Sequence, residues 1–362
     1  MKIRVLIIDD SVVARRILSD LLAADPDVEV VGTAASGSVG LQRIPQLNPD
    51  TVILDCEMPG LNGIQTLAEI RKNYPSLPVI MFSTSSEGGA LATVEALSKG
   101  ASDFVTKPAS TADTRALLAT LGEELVRKVK ALTMRGATPS VPAAPALPRI
   151  RPASSLARRR IDLVAIGSST GGPAALGEMM PRIGPHLPIP LLLVQHMPPM
   201  FTRMLAERLT TLCGYPVHEA SHEMPVLPGH AYIAPGNFHM VLKRIGTNLV
   251  LHTNQGPLEN SCRPAVDVLF RSVAEVIGPA ALGVVLTGMG SDGTRGSEEI
   301  LHAGGTVWAQ DEASSVVWGM PGFVVRAGLA EKVLPLNEIG AGIQRRIHEF
   351  RPSPAFSAQL SH

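Results

Sequence analysis

Short unbroken apolar runs alternate with stretches of helical apolar spacing along most of the chain. In the first third, residues 2–8, 28–34, 51–54, 79–82 and 103–106 are runs that suit strands buried on both faces. Between and after them apolar residues recur three and four apart, as at Val13, Ile17, Leu18, Leu21 and Leu22, which predicts a helix there and others over 39–44, 64–72, 91–99 and 111–132. Five successive βα units predict a doubly wound parallel sheet with right-handed crossovers. The pattern resumes later, with runs at 163–166, 190–194 and 281–286 and helical spacing over 174–180 and 294–303. Residues 229–235 and 238–252 predict antiparallel strands, turning at Pro235-Gly236-Asn237 and at Gly246, with their histidines on the surface or in cross-strand pairs.

The stretch between these halves breaks the pattern. Prolines at 139, 142, 145, 148 and 152 stand among alanines and arginines, a composition that cannot bury a core and predicts a partly extended linker. Basic residues crowd here too, at 127, 128, 130, 135, 149, 151 and 158–160, against only Glu123 and Glu124. Arg158-Arg159-Arg160 most simply forms a solvated linker end. The 362 residues, 45% hydrophobic and 18% charged, therefore predict two domains, both of the α/β class with doubly wound parallel sheets. The expected bounds are 1–122, a segment 123–160 holding the last helix end and linker, 161–350, and a tail at 351–362. No stretch is apolar enough for a signal peptide or membrane span, so a cytoplasmic protein is expected. The three cysteines, Cys56, Cys213 and Cys262, are far apart and show no disulfide or zinc spacing.

In doubly wound sheets ligands bind at the carboxyl ends of strands, where the first domain carries Asp9, Asp10, Asp55, Ser83 and Lys107. An Asp-Asp pair alone would most simply cap a helix. A third carboxylate at the same edge, however, calls for a cation, and oxygen ligands suit Mg²⁺. With Met58-Pro59-Gly60, Gly63, Phe104 and Lys107-Pro108, residues 1–122 closely resemble the flavodoxin-like receiver domain of response regulators. The resemblance implies that Asp55 accepts a phosphoryl group from a histidine kinase. It also implies Mg²⁺ held by Asp10, Asp55 and the Glu57 backbone carbonyl, with Asp9 acting through water, and Ser83 and Lys107 contacting phosphoryl oxygens. Cys56 stands where receivers usually carry an aliphatic residue, on the opposite strand face from Asp55.

In the second half the run 163–166 leads into Gly167-Ser168-Ser169-Thr170-Gly171-Gly172-Pro173. Gly167, Ser169 and Gly171 satisfy G-x-S-x-G, in which small neighbours let a serine protrude from a strand-to-helix turn. Such a loop can equally bind phosphate, or merely turn. His196 follows directly from the next run, and Asp292 lies beyond the third in Thr287-Gly288-Met289-Gly290-Ser291-Asp292-Gly293. Asp292 alone would read as a helix cap. All three at the mouth of one parallel sheet, however, supply a nucleophile, a base and a charge from distant points of the chain. In this assignment His196 takes the Ser169 proton, Asp292 orients the imidazole, and backbone N–H groups near Met289 receive the oxyanion.

These motifs, together with Gln195-His196-Met197-Pro198, Arg263-Pro264, 266–270, Ala309-Gln310-Asp311-Glu312 and Gly319-Met320-Pro321, resemble the catalytic domain of the chemotaxis protein-glutamate methylesterases, the CheB family. Ser168 and Ser291 depart from it, standing where alanine and asparagine are more usual. The resemblance implies a phosphorylation-activated serine esterase that demethylates glutamyl methyl esters on the cytoplasmic helices of chemoreceptors, with a chemotaxis-type histidine kinase as phosphodonor. Deamidation of selected receptor glutamines often accompanies that activity in the family. Ester hydrolysis would need no cofactor, and neither nucleic acid nor membrane insertion is expected. The alternative is a receiver-controlled module that binds phosphate or receptor without turnover.

Overall fold

The computed structural model describes residues 2–108, 114–133 and 160–349. The predicted linker and tail, and the start expected for the helix at 111–132, lie outside the described residues. By Cα proximity the chain divides into two units, Met1–Pro139 and Ser140–His362.

The first unit runs β1 (Ile3–Ile8), α1 (Val12–Ala23), β2 (Val28–Ala34), α2 (Gly37–Leu47), β3 (Thr51–Asp55), α3 (Gly63–Asn73), β4 (Val79–Ser83), α4 (Glu87–Ser98), β5 (Asp103–Thr106) and α5 (Thr114–Thr133). Its five strands are parallel in the order β2-β1-β3-β4-β5. The continuous apolar runs are explained by burial on both faces: every residue of β3 and β4 is buried. Local chemistry starts the helices. Ser11, Ser36 and Ser86 accept hydrogen bonds from first-turn N–H groups of α1, α2 and α4, and Asn62 with Gln65 forms a capping box on α3. The helices therefore begin nearer the strand ends than apolar spacing alone predicts, because the caps, rather than the first apolar residue, set the start.

The second unit runs β6 (Leu163–Ser168), α6 (Gly172–Met179), β7 (Leu191–Gln195), α7 (Phe201–Cys213), β8 (Val217–Glu219), β9 (Met224–Pro225), β10 (Ala231–Ile233), β11 (His239–Ile245), β12 (Asn248–Asn254), α8 (Val266–Ile277), β13 (Ala281–Val285), α9 (Thr294–His302), β14 (Thr306–Gln310), α10 (Met320–Arg326), β15 (Lys332–Leu334) and α11 (Leu336–His348). Seven strands form a parallel sheet ordered β15-β14-β13-β6-β7-β10-β8, and β11-β12-β9 form a small antiparallel sheet. α6 gives way at Met180 to a 3-10 turn, short of the helix end expected there. Pro173 occupies its first turn, where a missing N–H is harmless.

Two sequence expectations are corrected here. Residues 231–233 do not join an antiparallel pair with the following strand; β10 lies parallel between β7 and β8, while the Gly246 hairpin of β11 and β12 stands apart. β10 is three buried residues long, too short for its period to reveal its partners. One histidine also differs from expectation: His239 is buried, with Nε2 on the Pro257 carbonyl. His230 does form a pair, its Nδ1 2.8 Å from His218 Nε2 in a stacked arrangement beside Tyr232.

Burial and the neighbouring charge of His230 hold the His218 pKa below its usual 6.5. A lowered folded-state pKa means the unfolded chain binds more protons, so this contribution is lost as pH falls from about 6.5 through the folded value. Thermal unfolding of His218→Asn should therefore lose less stability between pH 7.5 and 5.5 than the wild type does. An equal loss in both would show that the pair does not sense protons.

Candidate active site

β6 is central in its sheet, with β13 on one side and β7 on the other. The loops leaving the carboxyl ends of these three adjacent strands carry Ser169, His196 and Asp292, so the topology itself brings them to one crevice. The turn after β6 is held from both sides. Gln195, buried at the end of β7, accepts from Ser168 Oγ at 2.7 Å and donates through Nε2 to the Ser169 carbonyl at 3.0 Å. From the β13 side, Thr287 accepts the Ser169 N–H and its hydroxyl donates to the Thr170 carbonyl. Gly171 then adopts φ 76°, a left-handed conformation that favours glycine, and α6 begins. Ser168 and Gln195 were not assigned roles by sequence; only this cross-strand contact reveals them.

Asp292 does not cap α9, the helix that follows it. Its carboxylate accepts from the N–H groups of Val266 (2.6 Å) and Asp267 (3.0 Å), the first residues of α8, and from Gly293 N–H (3.0 Å) and Asn260 Nδ2 (2.8 Å). Its remaining partner is His196 Nε2, 2.8 Å from Oδ2. Burial favours the protonated acid, but His196 and the N–H donors outweigh it and hold Asp292 below the usual carboxylate range. Being ionised, Asp292 can only accept, so His196 keeps a proton on Nε2, and only in its neutral form does it present a lone pair at Nδ1. Burial also opposes a charged imidazole, yet Asp292, joined by Cys262, raises the His196 pKa from 6.5 to about 10.

Of the expected triad, the His196–Asp292 link is made as a hydrogen bond and the Ser169–His196 link is not. Nδ1 faces Cys262 Sγ instead, at 3.5 Å. Ser169 is half-buried and lies close to Gly288, where a Cβ would come within 2.9 Å of Ser169 Cβ. The Met289 N–H donates to no backbone acceptor among the described residues. Asn260 and Asp267 escaped the sequence reading: the Asn260 amide bridges Asp292 and Asp267, whose pKa burial raises while the Gly296 N–H opposes.

In the first unit, Asp9 and Asp55 are buried at the sheet edge and Asp10 is exposed. Oxygens of all three lie within 4.8 Å of one another. Lys107 Nζ reaches Asp55 Oδ1 at 2.8 Å and Asp9 Oδ2 at 3.4 Å, and the Glu57 N–H donates to Asp55 Oδ1. Burial, only partly countered by Lys107, raises the Asp55 pKa. Asp9 Oδ2 and Asp55 Oδ2 are buried without a hydrogen-bond partner, so this donor set fits a hard divalent cation. Without a phosphoryl group, the Ser83 hydroxyl donates to the Gly89 carbonyl of α4 at 2.9 Å. Cys56 Sγ lies 3.8 Å from Thr93 Oγ1 of α4.

The CheB methylesterase family model matches residues 164–343, and the response regulator receiver domain model matches residues 5–119. A protein from Trichodesmium erythraeum named protein-glutamate methylesterase/protein-glutamine glutaminase is 47% identical over 96% of this chain and 99% of its own. One of the same name from a Nocardioides strain is 49% identical over 99% of both. The crystal structure of the Thermotoga maritima CheB methylesterase catalytic domain is 41% identical, with a TM-score of 0.50 over 52% of this chain and 99% of that one.

Removing the Asp292 charge takes away one of the two groups that raise the imidazole, leaving Cys262 alone against burial. In Asp292→Asn the His196 pKa, followed by NMR titration of its ring protons, should fall from the wild-type value. An unchanged pKa would mean that Asp292 does not set it.

Proposed function

Since the chain belongs to the CheB methylesterase family and carries a response regulator receiver domain ahead of the catalytic unit, we propose that Ser169, His196 and Asp292 perform its ester hydrolysis on glutamyl methyl esters of chemoreceptors. The observation that carries this reading is the buried His196–Asp292 pair at the carboxyl edge beside Ser169. Binding alone would not need His196 and Asp292 joined beside a protruding serine.

Ser169 Oγ attacks the ester carbonyl as its proton passes to His196 Nδ1, the nitrogen left free by Asp292. The oxyanion is received by the Met289 N–H. Collapse expels methanol, which takes the proton from His196, and leaves a glutamyl-serine ester. Water then repeats the cycle and releases the glutamate side chain. A glutamine amide follows the same route with ammonia as leaving group, giving the glutaminase activity. No cofactor enters this sequence. Since Nδ1 must be unprotonated to act, the raised His196 pKa predicts turnover that climbs from neutral into alkaline pH.

Control comes from the receiver. Asp10, Asp55 and the Glu57 carbonyl would hold Mg²⁺, with Asp9 acting through water, and the ion would offset the carboxylates facing an incoming phosphoryl group. Asp55 attacks phosphorus, taking the group from a histidine kinase of the chemotaxis type. Lys107 pairs with a phosphoryl oxygen, and Ser83 does so once it leaves the Gly89 carbonyl. The substrates are the cytoplasmic helices of the receptors, which requires a cytoplasmic enzyme; no described helix is long and apolar enough to cross a membrane.

Ser169→Ala and His196→Ala should each lower hydrolysis of a methylated receptor by about 10³-fold or more, Asp292→Asn comparably or less, and double variants should add little further loss because the residues act as a unit. Wild-type turnover in Ser169→Ala would remove serine from the mechanism. Incubated with acetyl phosphate, the protein should incorporate phosphate only with Mg²⁺, and Asp55→Asn should incorporate none. Acid-stable, base-labile label persisting in that variant would point to another acceptor.

A further inference from the structure

The nitrogen that the hydrolytic mechanism needs free is the one that faces a thiol. Cys262 Sγ, His196 Nδ1, His196 Nε2 and Asp292 form a continuous chain with separations of 3.5 Å at the sulfur and 2.8 Å at the carboxylate, the order nucleophile, base, orienting carboxylate. The thiol is held there. Residues 259–262 close a turn in which Cys262 N–H donates to the Glu259 carbonyl and Glu259 N–H to that of Cys262, while Asn260 and Ser261 both take left-handed backbone, φ 52° and 61°. Arg271 grips Glu259 through two 2.6 Å contacts, and Asn260 is tied to Asp292 and Asp267. A pocket of about 380 Å³, lined by His196, Cys262, Arg263 and Asn237 among others, opens at this point. The other two thiols differ: Cys56 and Cys213 are buried, and burial raises both their pKa values, that of Cys213 to about 11.

We propose that Cys262 is a reactive thiol, activated by His196, whose modification by a hydroperoxide or an alkylating electrophile switches off the esterase. In the thiolate–imidazolium pair that this contact allows, the proton sits on Nδ1, and the thiolate attacks the distal oxygen of the peroxide. An S–O bond forms and the O–O bond breaks. The departing hydroxide or alkoxide takes the proton back from His196 as water or alcohol. Sulfur is oxidised by two electrons to the sulfenic acid and the peroxide is reduced by two. With an alkylating electrophile an S–C bond forms as the halide or other leaving group departs with the bonding pair, and the proton remains on His196. The sulfenic oxygen, or an alkyl group in its place, then stands against Nδ1 and withholds the base from Ser169. The effect on turnover rests on the reading of His196 as the base; the reactivity of the thiol does not.

The test uses the full-length protein, with iodoacetamide and with hydrogen peroxide plus dimedone as probes and peptide mass spectrometry to locate adducts. At pH 7 Cys262 should be labelled at least ~10-fold faster than Cys56 or Cys213, and His196→Ala and His196→Gln should each slow it ~10-fold. Turnover on methylated receptor should fall in step with Cys262 modification, and the ratio of treated to untreated activity should rise to near one in Cys262→Ser. Ser169→Ala separates the two claims, since its Cys262 should label at the wild-type rate whether or not hydrolysis proceeds through the serine. Labelling no faster than at the buried thiols, labelling unaffected by both His196 variants, or full turnover with Cys262 fully modified would each overturn the proposal.

Discussion

The Asp292 carboxylate, 2% exposed, accepts hydrogen bonds from His196, Asn260, Val266, Asp267 and Gly293. A buried charge this far from water is tolerable only when every lone pair is met, and here the donors come from four separate segments. Two of them are the opening N–H groups of α8, whose positive end favours an anion. One side chain therefore joins α8, the turn at 259–262, the start of α9 and the loop after β7. Loss of it would leave donors in each of those segments unmet as well as freeing the imidazole.

The receiver faces the opposite difficulty. Asp9 and Asp55 are buried at one edge with too few donors for their oxygens, and Lys107 alone does not offset them. The second unit satisfies its buried carboxylate with protein donors and so makes a rigid orienting group. The first leaves two carboxylate oxygens without a hydrogen bond, which suits the proposed entry of a cation and then a phosphoryl group. The same contrast runs through helix capping. Receiver helices α1 to α4 carry their own Ser or Asn caps, whereas α6 and α9 start from glycines without side-chain caps. The carboxylate beside α9 is committed to α8 instead.

In the proposed mechanism serine and cysteine share one base. A histidine whose Nε2 is tied to Asp292 has a single nitrogen for chemistry, and Cys262 occupies its near side. Hydrolysis by the proposed route then depends on Ser169 reaching an imidazole that is already contacted by a thiol, carried on a turn closed by the paired hydrogen bonds of Glu259 and Cys262.

The receiver strands and their parallel character, the runs that form β6, β7 and β13, and the strand-end placement of Asp9, Asp55, Ser169 and His196 were legible in the chain, because burial on both faces writes itself as continuous apolar runs and strand ends follow from them; the short β8, β9 and β15, and β14, were not read. The family motifs add residue types to those positions. Contacts between segments far apart in sequence were not legible. That β10 pairs in parallel with β7 and β8, that Asp292 caps α8 rather than α9, that Ser83 turns to Gly89, and that Nδ1 of His196 meets Cys262 all depend on which surfaces pack together. Local patterning specifies which face of an element is apolar. It does not say which distant donor, acceptor or thiol will stand opposite a given polar atom; packing decides that through shape and the requirement that buried polar groups be paired.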